Sequence, residues 1–96
     1  MTAYQSLKQR REDVLNTAKR YGAAKLRVFG SVVREDDYAE SDIDLLVEMA
    51  KGRDLLDLIA LEQDLTELLG RRVDVVTDGG LSPYLKDRIL AEAVPL

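Results

Sequence analysis

The chain contains neither cysteine nor histidine. Without cysteine it can form no disulfide and has no thiol nucleophile. Without both residue types, zinc sites of the Cys/His kind and Ser-His-Asp triads are also excluded. Any acid–base chemistry must therefore be carried out by carboxylates, lysine or tyrosine.

Long apolar runs and an excess of basic residues are missing as well. No run approaches the roughly 20 residues of a membrane span, and residues 1–11 lack the apolar segment of a signal peptide. We therefore expect a cytoplasmic location. With 14 basic and 18 acidic residues the net charge is −4. We therefore expect no generally basic surface for binding nucleic acid, although this net charge still allows a local basic patch.

The remaining composition is that of one small globular domain. The chain has 96 residues, of which 46 % are hydrophobic and 33 % are charged. This length suits a single compact domain over residues 1–96 and leaves little room for a second one. The balance of apolar and charged residues is typical of a folded chain rather than a disordered one.

The spacing of apolar residues predicts the order α-β-β-α-β-α. The predicted helices cover residues 4–21, 55–69 and 84–93, and the predicted strands cover residues 25–29, 43–47 and 72–77. Asp54 is a suitable N-cap for the middle helix and Gly70 a suitable end, while Ser82-Pro83 opens the last helix and Pro95 stops it. This order predicts an α+β fold, a small mixed sheet with helices packed on it.

The middle helix carries one broad apolar face. Six residues trace that face at helical spacing: Leu55, Leu58, Ile59, Leu65, Leu68 and Leu69. We interpret it as core. Leu56 and Leu61 widen it enough to leave room for a contact with another protein.

Two carboxylates stand one residue apart where the second predicted strand begins. Asp42 and Asp44 flank Ile43 at the start of an apolar run. Residues two apart on a strand point to the same side. Two carboxylates held together repel each other, and desolvation disfavours their ionised forms. A divalent cation removes that cost, and hard oxygen ligands suit Mg²⁺.

Two further features fit a site for a nucleoside triphosphate. Gly30-Ser31 follows a strand, where glycine allows backbone to approach a phosphate and the turn offers N–H donors. Asp74 lies alone inside an apolar strand, where an unpaired carboxylate is expensive. If its strand neighbours that of Asp42 and Asp44, three carboxylates converge as in a two-metal site for in-line displacement at phosphorus.

In such a site the acids have distinct roles. Asp42 and Asp44 would hold the Mg²⁺ that binds and orients the triphosphate, and would bridge to a second ion. Asp74 would complete the second metal site and act as base toward the attacking hydroxyl.

This constellation resembles the minimal nucleotidyltransferases of the DNA polymerase β superfamily. Their signature is Gly-Ser, ten residues, then Asp-x-Asp, and a third Asp on a later strand. Gly30-Ser31, the ten residues 32–41 and Asp42-Ile43-Asp44 match this spacing, and Asp74 matches the third acid. The resemblance extends through residues 81–96 and so covers nearly the whole chain. It implies a polymerase β-like fold, with Asp42, Asp44 and Asp74 as metal-binding and catalytic residues.

The same resemblance extends to residues around the triphosphate. Arg34 and Ser41 match an extended form of the signature, which implies that Gly30, Ser31, Arg34 and Ser41 bind the nucleotide. An ion pair of Arg34 with a nearby aspartate is an equal alternative. Glu35 departs from the pattern, since many relatives have glycine there. Its charge either weakens triphosphate binding or points to water.

The size of the chain limits what this site acts on. Polymerases and tRNA-tailing enzymes of the superfamily have further domains that hold nucleic acid, and this chain has neither the length nor the basic balance for such a grip. The resemblance is closest to the nucleotidyltransferases of two-gene toxin–antitoxin modules, whose partner is an all-helical HEPN-type toxin. It implies transfer of AMP from ATP, with Mg²⁺, to a tyrosine hydroxyl of that toxin.

Two other functions stay open. One is a non-catalytic antitoxin that neutralises its toxin by binding. The other is transfer of a nucleotide to a small molecule such as an aminoglycoside, which usually requires an added substrate-binding domain. No residue indicates the base preference, the number of nucleotides added or the stoichiometry of a complex.

Overall fold

The computed structural model describes residues 3–30, 33 and 42–96. Within them the helices are α1 (Ala3–Gln9), α2 (Arg11–Arg20), α3 (Leu55–Leu69) and α4 (Pro83–Glu92). The strands are β1 (Ala23–Phe29), β2 (Ile43–Met49), β3 (Val73–Thr77) and β4 (Val94–Pro95). No helix in this described part of the chain is long and apolar enough to cross a membrane.

The four strands form one mixed sheet in the order β3-β2-β1-β4. β1 pairs antiparallel with β2 and with β4, while β2 and β3 are parallel. A parallel pair needs a crossover connection, and α3 supplies it between β2 and β3. The predicted α+β class with a small mixed sheet is confirmed.

One face of the sheet forms the core with α1, α2 and α3. Successive residues of a strand face opposite sides, so alternate positions of β2 and β3 point toward these helices. The largest fully buried side chains come from both layers: Leu7, Val14, Val28, Ile43, Leu45, Val47, Leu61, Leu65 and Val73. α4 contributes no buried residue. The opposite face of the sheet therefore remains more open.

Both ends of α3 lie where the sequence predicted them. The Asp54 carboxylate accepts a hydrogen bond from the Asp57 N–H, and the Asp57 carboxylate accepts one from the Asp54 N–H, each at 3.2 Å. This reciprocal pair is a capping box, which satisfies donors at the helix start. At the other end the Gly70 N–H donates to the Thr66 carbonyl at 3.0 Å.

The predicted single first helix is wrong, because the structure has two helices that meet at Arg10. Leu7 and Val14 are fully buried. One straight helix would place residue 10 or 11 on the same buried stripe, since helical faces recur every three to four residues. Both residues are arginine and both are exposed. The break keeps their charged groups out of the core, and Arg10 pairs with Asp13 at 3.6 Å.

The predicted apolar face of α3 is displaced from the face that is buried. Leu61 and Leu65 are fully buried, whereas Leu55, Leu56 and Ile59 are 67, 72 and 42 % exposed. The core interpretation is therefore wrong for the first turn of α3. We name Leu55, Leu56 and Ile59 the α3 apolar patch.

The end of the chain contains a strand that was not predicted. α4 begins at Pro83 as expected, with Ser82 in the N-cap position, although the Ser82 side chain makes no cap hydrogen bond. After α4, Val94–Pro95 pairs with β1 as β4. A proline cannot donate to a ladder, and it is tolerated here because β4 lies at the edge of the sheet.

The other edge strand, β3, is fixed to α3 by side chains. The Val73 N–H donates to Thr66 Oγ1 at 3.1 Å, and the Val75 N–H donates to Glu62 Oε2 at 2.9 Å. Unpaired strand edges invite pairing with other chains, and these contacts occupy alternate outward donors. They also fix the position of the residue between them, Asp74.

A polar contact also joins α3 to the residue that follows α2. The hydroxyl of Tyr21, just after α2, donates to the carboxylate of Asp64 on α3. The pKa of Tyr21 is raised above its usual 10.0, chiefly by this hydrogen bond and then by desolvation and the negative charge of Asp64. The folded state thus favours the neutral phenol.

This contact predicts a loss of stability at alkaline pH. A raised pKa in the folded state contributes stability that is complete below about pH 10 and is lost as pH rises through the folded-state pKa. We expect the free energy of unfolding to fall more steeply above pH 10 for the wild type than for Tyr21→Phe, in urea titrations at stepped pH. Tyr84→Phe, on a tyrosine that is 95 % exposed, is the control and should retain the wild-type slope. Equal slopes for Tyr21→Phe and wild type would contradict the assignment.

Candidate active site

Asp44 and Asp74 occupy paired positions on two neighbouring parallel strands. Asp44 of β2 is in register with Asp74 of β3. Adjacent strands lie about 4.8 Å apart, and residues in register on a parallel pair face the same side of the sheet. Their neighbours Ile43 and Val73 are fully buried on the core side. Both carboxylates therefore belong to the opposite, open face.

Gly30 lies directly against the side chain of Asp44. A Cβ atom added to Gly30 would lie only 2.5 Å from Asp44 Oδ2. The register of the antiparallel pair explains this, because Phe29 at the end of β1 is opposite Asp44. Gly30 also has a φ of +83°, a conformation that side chains with a Cβ rarely adopt. The structure thus places Gly30, which is predicted to lie beside the phosphates, against Asp44, which is predicted to bind the metal.

The chain turns immediately after Gly30. The Val33 N–H donates to the Gly30 carbonyl at 3.1 Å, which closes a turn at the end of β1. The predictions for Ser31, Arg34, Glu35 and Ser41 lie outside the described residues.

Asp74 has a cationic neighbour that the sequence analysis did not assign to it. Arg72 Nε lies 3.4 Å from Asp74 Oδ1, and the two side chains are 72 and 34 % exposed. An exposed pair of this kind contributes about 0–1 kcal/mol to stability. The contact lowers the cost of a carboxylate inside an apolar strand, and it is weak enough for a divalent ion to replace.

Asp42 is exposed and lies one residue before β2. Within residues 3–30, 33 and 42–96, no three acidic side chains are already placed as a set of metal ligands. The structure therefore brings Gly30 to Asp44 and aligns Asp44 with Asp74, but it does not gather all three carboxylates. Their metal-binding and catalytic roles stay predictions. The donors available are carboxylate oxygens on one face, which fit Mg²⁺.

A cleft of about 270 Å³ opens beside Asp44. On the sheet side it is lined by Phe29, Gly30 and Asp44. On the helix side it is lined by four residues of α4: Leu85, Arg88, Ile89 and Glu92. The sequence analysis missed these helix residues, although their spacing of three, four and seven places them on one helical face.

The chain that carries this arrangement matches a known protein family. The model of the nucleotidyltransferase domain matches residues 7–96. The chain belongs to this nucleotidyltransferase family. The predicted resemblance is thereby confirmed, and the aligned acids and the Gly30 turn are part of a nucleotidyltransferase domain.

Curated relatives of this nucleotidyltransferase include proteins named as protein adenylyltransferases. It is 48 % identical over 75 residues to "Putative protein adenylyltransferase MJ0435" of Methanocaldococcus jannaschii, covering 78 % of this chain and 81 % of the relative. It is 40 % identical over 76 residues to protein adenylyltransferase MntA of Thermococcus cleftensis, covering 79 % and 77 %.

Solved structures show the same fold. A structure described as a "putative minimal nucleotidyltransferase" superposes with a TM-score of 0.86 at 48 % identity, covering all of this chain and 97 % of the other. A complex of tri-AMPylated HEPN toxin from Shewanella oneidensis with its MNT antitoxin gives a TM-score of 0.69 at 20 % identity, covering 92 % and 69 %. At that identity the second likeness concerns the fold alone.

Proposed function

We propose that this nucleotidyltransferase is a Mg²⁺-dependent protein adenylyltransferase that acts as an antitoxin. Its reaction moves AMP from ATP to a tyrosine hydroxyl of a HEPN-type toxin and so silences the toxin. The observation that carries the proposal is the register of Asp44 with Asp74 on the open face, with Asp44 packed on Gly30. Relatives of this chain named as protein adenylyltransferases support the acceptor class.

The chemistry follows from what the open face holds. The tyrosine oxygen forms a bond to the α-phosphorus of ATP, the bond from that phosphorus to the bridging oxygen breaks, and pyrophosphate leaves. The phenolic proton passes to Asp74. Asp42 and Asp44 would hold Mg²⁺, and Asp74 would hold a second ion. Bound there, Mg²⁺ supplies positive charge to the phosphate oxygens and the leaving group.

The turn after β1 positions the donor. Gly30 has no side chain, so the triphosphate approaches the backbone beside Asp44 without obstruction. Ser31, Arg34 and Ser41 are the further nucleotide contacts of the proposal. In this proposal the partner protein presents the acceptor tyrosine.

A transfer assay with a purified partner tests this proposal. We expect a HEPN-type reading frame beside the gene, and expect its product to take up label from [α-³²P]ATP only with this chain and Mg²⁺. Label should appear on tyrosine, and the partner's toxicity should fall in parallel. Asp87→Asn, an exposed acid of α4 outside the cleft, is the control. No label from the wild type, with Asp42→Ala and Asp44→Ala still neutralising the toxin, would contradict a catalytic antitoxin.

Asp74→Asn separates catalysis from binding. The amide can still accept a hydrogen bond, but it cannot take a proton or hold a cation as a carboxylate does. We expect AMP transfer to fall about 10²- to 10⁴-fold, the usual contribution of a general base, while ATP affinity changes far less. Single-turnover rates and equilibrium titration with Mg²⁺-ATP measure the two effects. An equal loss of both would contradict the role of Asp74 as base.

One observation favours the non-catalytic alternative. The α3 apolar patch exposes Leu55 and Leu56 by 67 and 72 %, and exposed leucines of this kind suit a protein contact. An antitoxin acting by binding alone would lose neutralisation in Leu56→Lys and keep it in Asp44→Asn. The catalytic proposal expects Asp44→Asn to lose it.

A further inference from the structure

α4 is held near the open face without belonging to the core. None of its residues is buried, and yet Leu85, Arg88, Ile89 and Glu92 line the same cleft as Gly30 and Asp44. These four residues lie on one helical face because their spacing is three, four and seven. A helix that is not needed for the core, but presents one face to the site, is placed to contact a ligand.

Arg88 is the cation of this cleft. Among the described residues that line it, Arg88 is the only basic one, and Asp44 and Glu92 are acidic. Arg10, Lys25, Arg53 and Arg72 form ion pairs in the described part of the chain, and none of these pairs involves Arg88. The exposed guanidinium of Arg88 is therefore available to an anion, and it presents several N–H donors in a plane that matches phosphate oxygens.

The rest of the cleft is apolar. Phe29 lies on the sheet side, and Leu85 and Ile89 lie on α4. Leu85 is 49 % exposed, which is unfavourable for a leucine unless something packs on it. A ligand that fits this lining has an apolar part and an anionic part that Arg88 can bind.

We propose that α4 forms the second wall of the donor-nucleotide site, with Arg88 binding the triphosphate and Leu85 packing on the nucleoside. This inference rests on the proposed function for the identity of the nucleotide. Arg88 offsets the negative charge that Asp44 and Glu92 bring to the cleft. The volume of about 270 Å³ lies near the lower limit of about 300 Å³ for ligand pockets, so part of the nucleotide stays exposed to the acceptor.

Titration with a series of ligands tests the proposal. Arg88→Ala should weaken Mg²⁺-ATP binding about 10- to 100-fold, because hydrogen bonds to charged groups contribute that much. Adenosine has no phosphate, so its affinity should change less than about twofold. Leu85→Ser should weaken both ligands. Lys86→Ala removes the same charge from the same helix at a position outside the cleft, and it should bind ATP as the wild type does.

The outcomes distinguish the role of Arg88 from the proposed function. Arg88→Lys should recover part of the ATP affinity, and thermal melts should match the wild type because α4 contributes no buried residue. Equal ATP affinities for Arg88→Ala and Lys86→Ala would overturn the assignment of Arg88 and leave the proposed function intact. ATP binding that depends on Arg88, with no transfer to any protein, would overturn the proposed function alone. A wild type that does not bind ATP overturns both.

Discussion

Asp44→Asn is expected to reduce AMP transfer by about 10³-fold or more while the protein stays folded. The substitution removes one negative charge from the open face, where Asp44 and Asp74 are in register. A metal that polarises phosphate oxygens supplies several kcal/mol of transition-state stabilisation, and each 1.4 kcal/mol is about a tenfold change in rate. Loss of the ligand should therefore abolish measurable Mg²⁺-dependent ATP binding as well.

Stability separates this effect from simple unfolding. Asparagine is nearly the same size as aspartate, and the substitution removes the repulsion between Asp44 and Asp74. We expect the free energy of unfolding to change by no more than about 1 kcal/mol, or to rise, when it is measured without Mg²⁺ by urea denaturation. Asp87→Asn is the control for both assays. Marked unfolding of Asp44→Asn would show that the acid is structural.

Added Mg²⁺ gives a second readout that does not depend on the partner. Mg²⁺ that binds the folded state stabilises it by mass action, and the melting temperature rises with its concentration. Asp44→Asn should lose that rise, while Asp87→Asn should keep it. A rise in Asp44→Asn equal to that of the wild type would place the ion elsewhere.

The sequence predicted those parts of the site that depend on residue type and on short local patterns. Asp44 and Asp74 stand inside short apolar runs, and each run predicts a strand whose charged residue needs compensation. The sequence analysis made the convergence of these acids conditional on the two strands being neighbours, and the parallel pairing of β2 and β3 shows that they are. Asp54 and Gly70 were likewise predictable, because caps depend on residue type at fixed offsets.

Features that depend on contacts between distant segments were not predictable in the same way. The apolar residues of α3 show that the helix has a buried face, but only the packing of the folded chain shows that Leu61 is buried and Leu56 is exposed. β4 has only two residues and forms because β1 offers an open edge. Arg88 carries no signal of its own until α4 is seen beside Asp44.

Gly30→Ala should reduce transfer by about 10²-fold, although it changes no residue that is predicted to bind the metal. The new Cβ would lie 2.5 Å from Asp44 Oδ2, closer than non-bonded atoms approach. The atom that must give way is the end of a side chain, so the clash is relieved by rotating the Asp44 carboxylate rather than by unfolding the sheet. That rotation moves a metal ligand, and a displacement of about 1 Å costs about 10²-fold in rate.

The backbone adds a separate cost. Gly30 has a φ of +83°, where an alanine is strained by about 1–3 kcal/mol. Gly52→Ala is the matched control, because Gly52 has a φ of +92° and nothing lies within 4 Å of its added Cβ. We expect backbone strain to cost both variants a similar amount of stability, and Gly30→Ala to lose somewhat more because of its contact with Asp44. Only Gly30→Ala should lose transfer and Mg²⁺-dependent ATP binding.

A double-mutant cycle isolates the contact between Gly30 and Asp44. In an Asp44→Ala background the added methyl at residue 30 no longer meets a carboxylate, and only the backbone cost remains. We therefore expect Gly30→Ala to be less destabilising in that background than in the wild type, by about 0.5–3 kcal/mol of coupling free energy. Additive losses would mean that residue 30 does not constrain the Asp44 carboxylate. Gly30 would then be required only for the turn after β1, and it would have no part in positioning the Asp44 carboxylate.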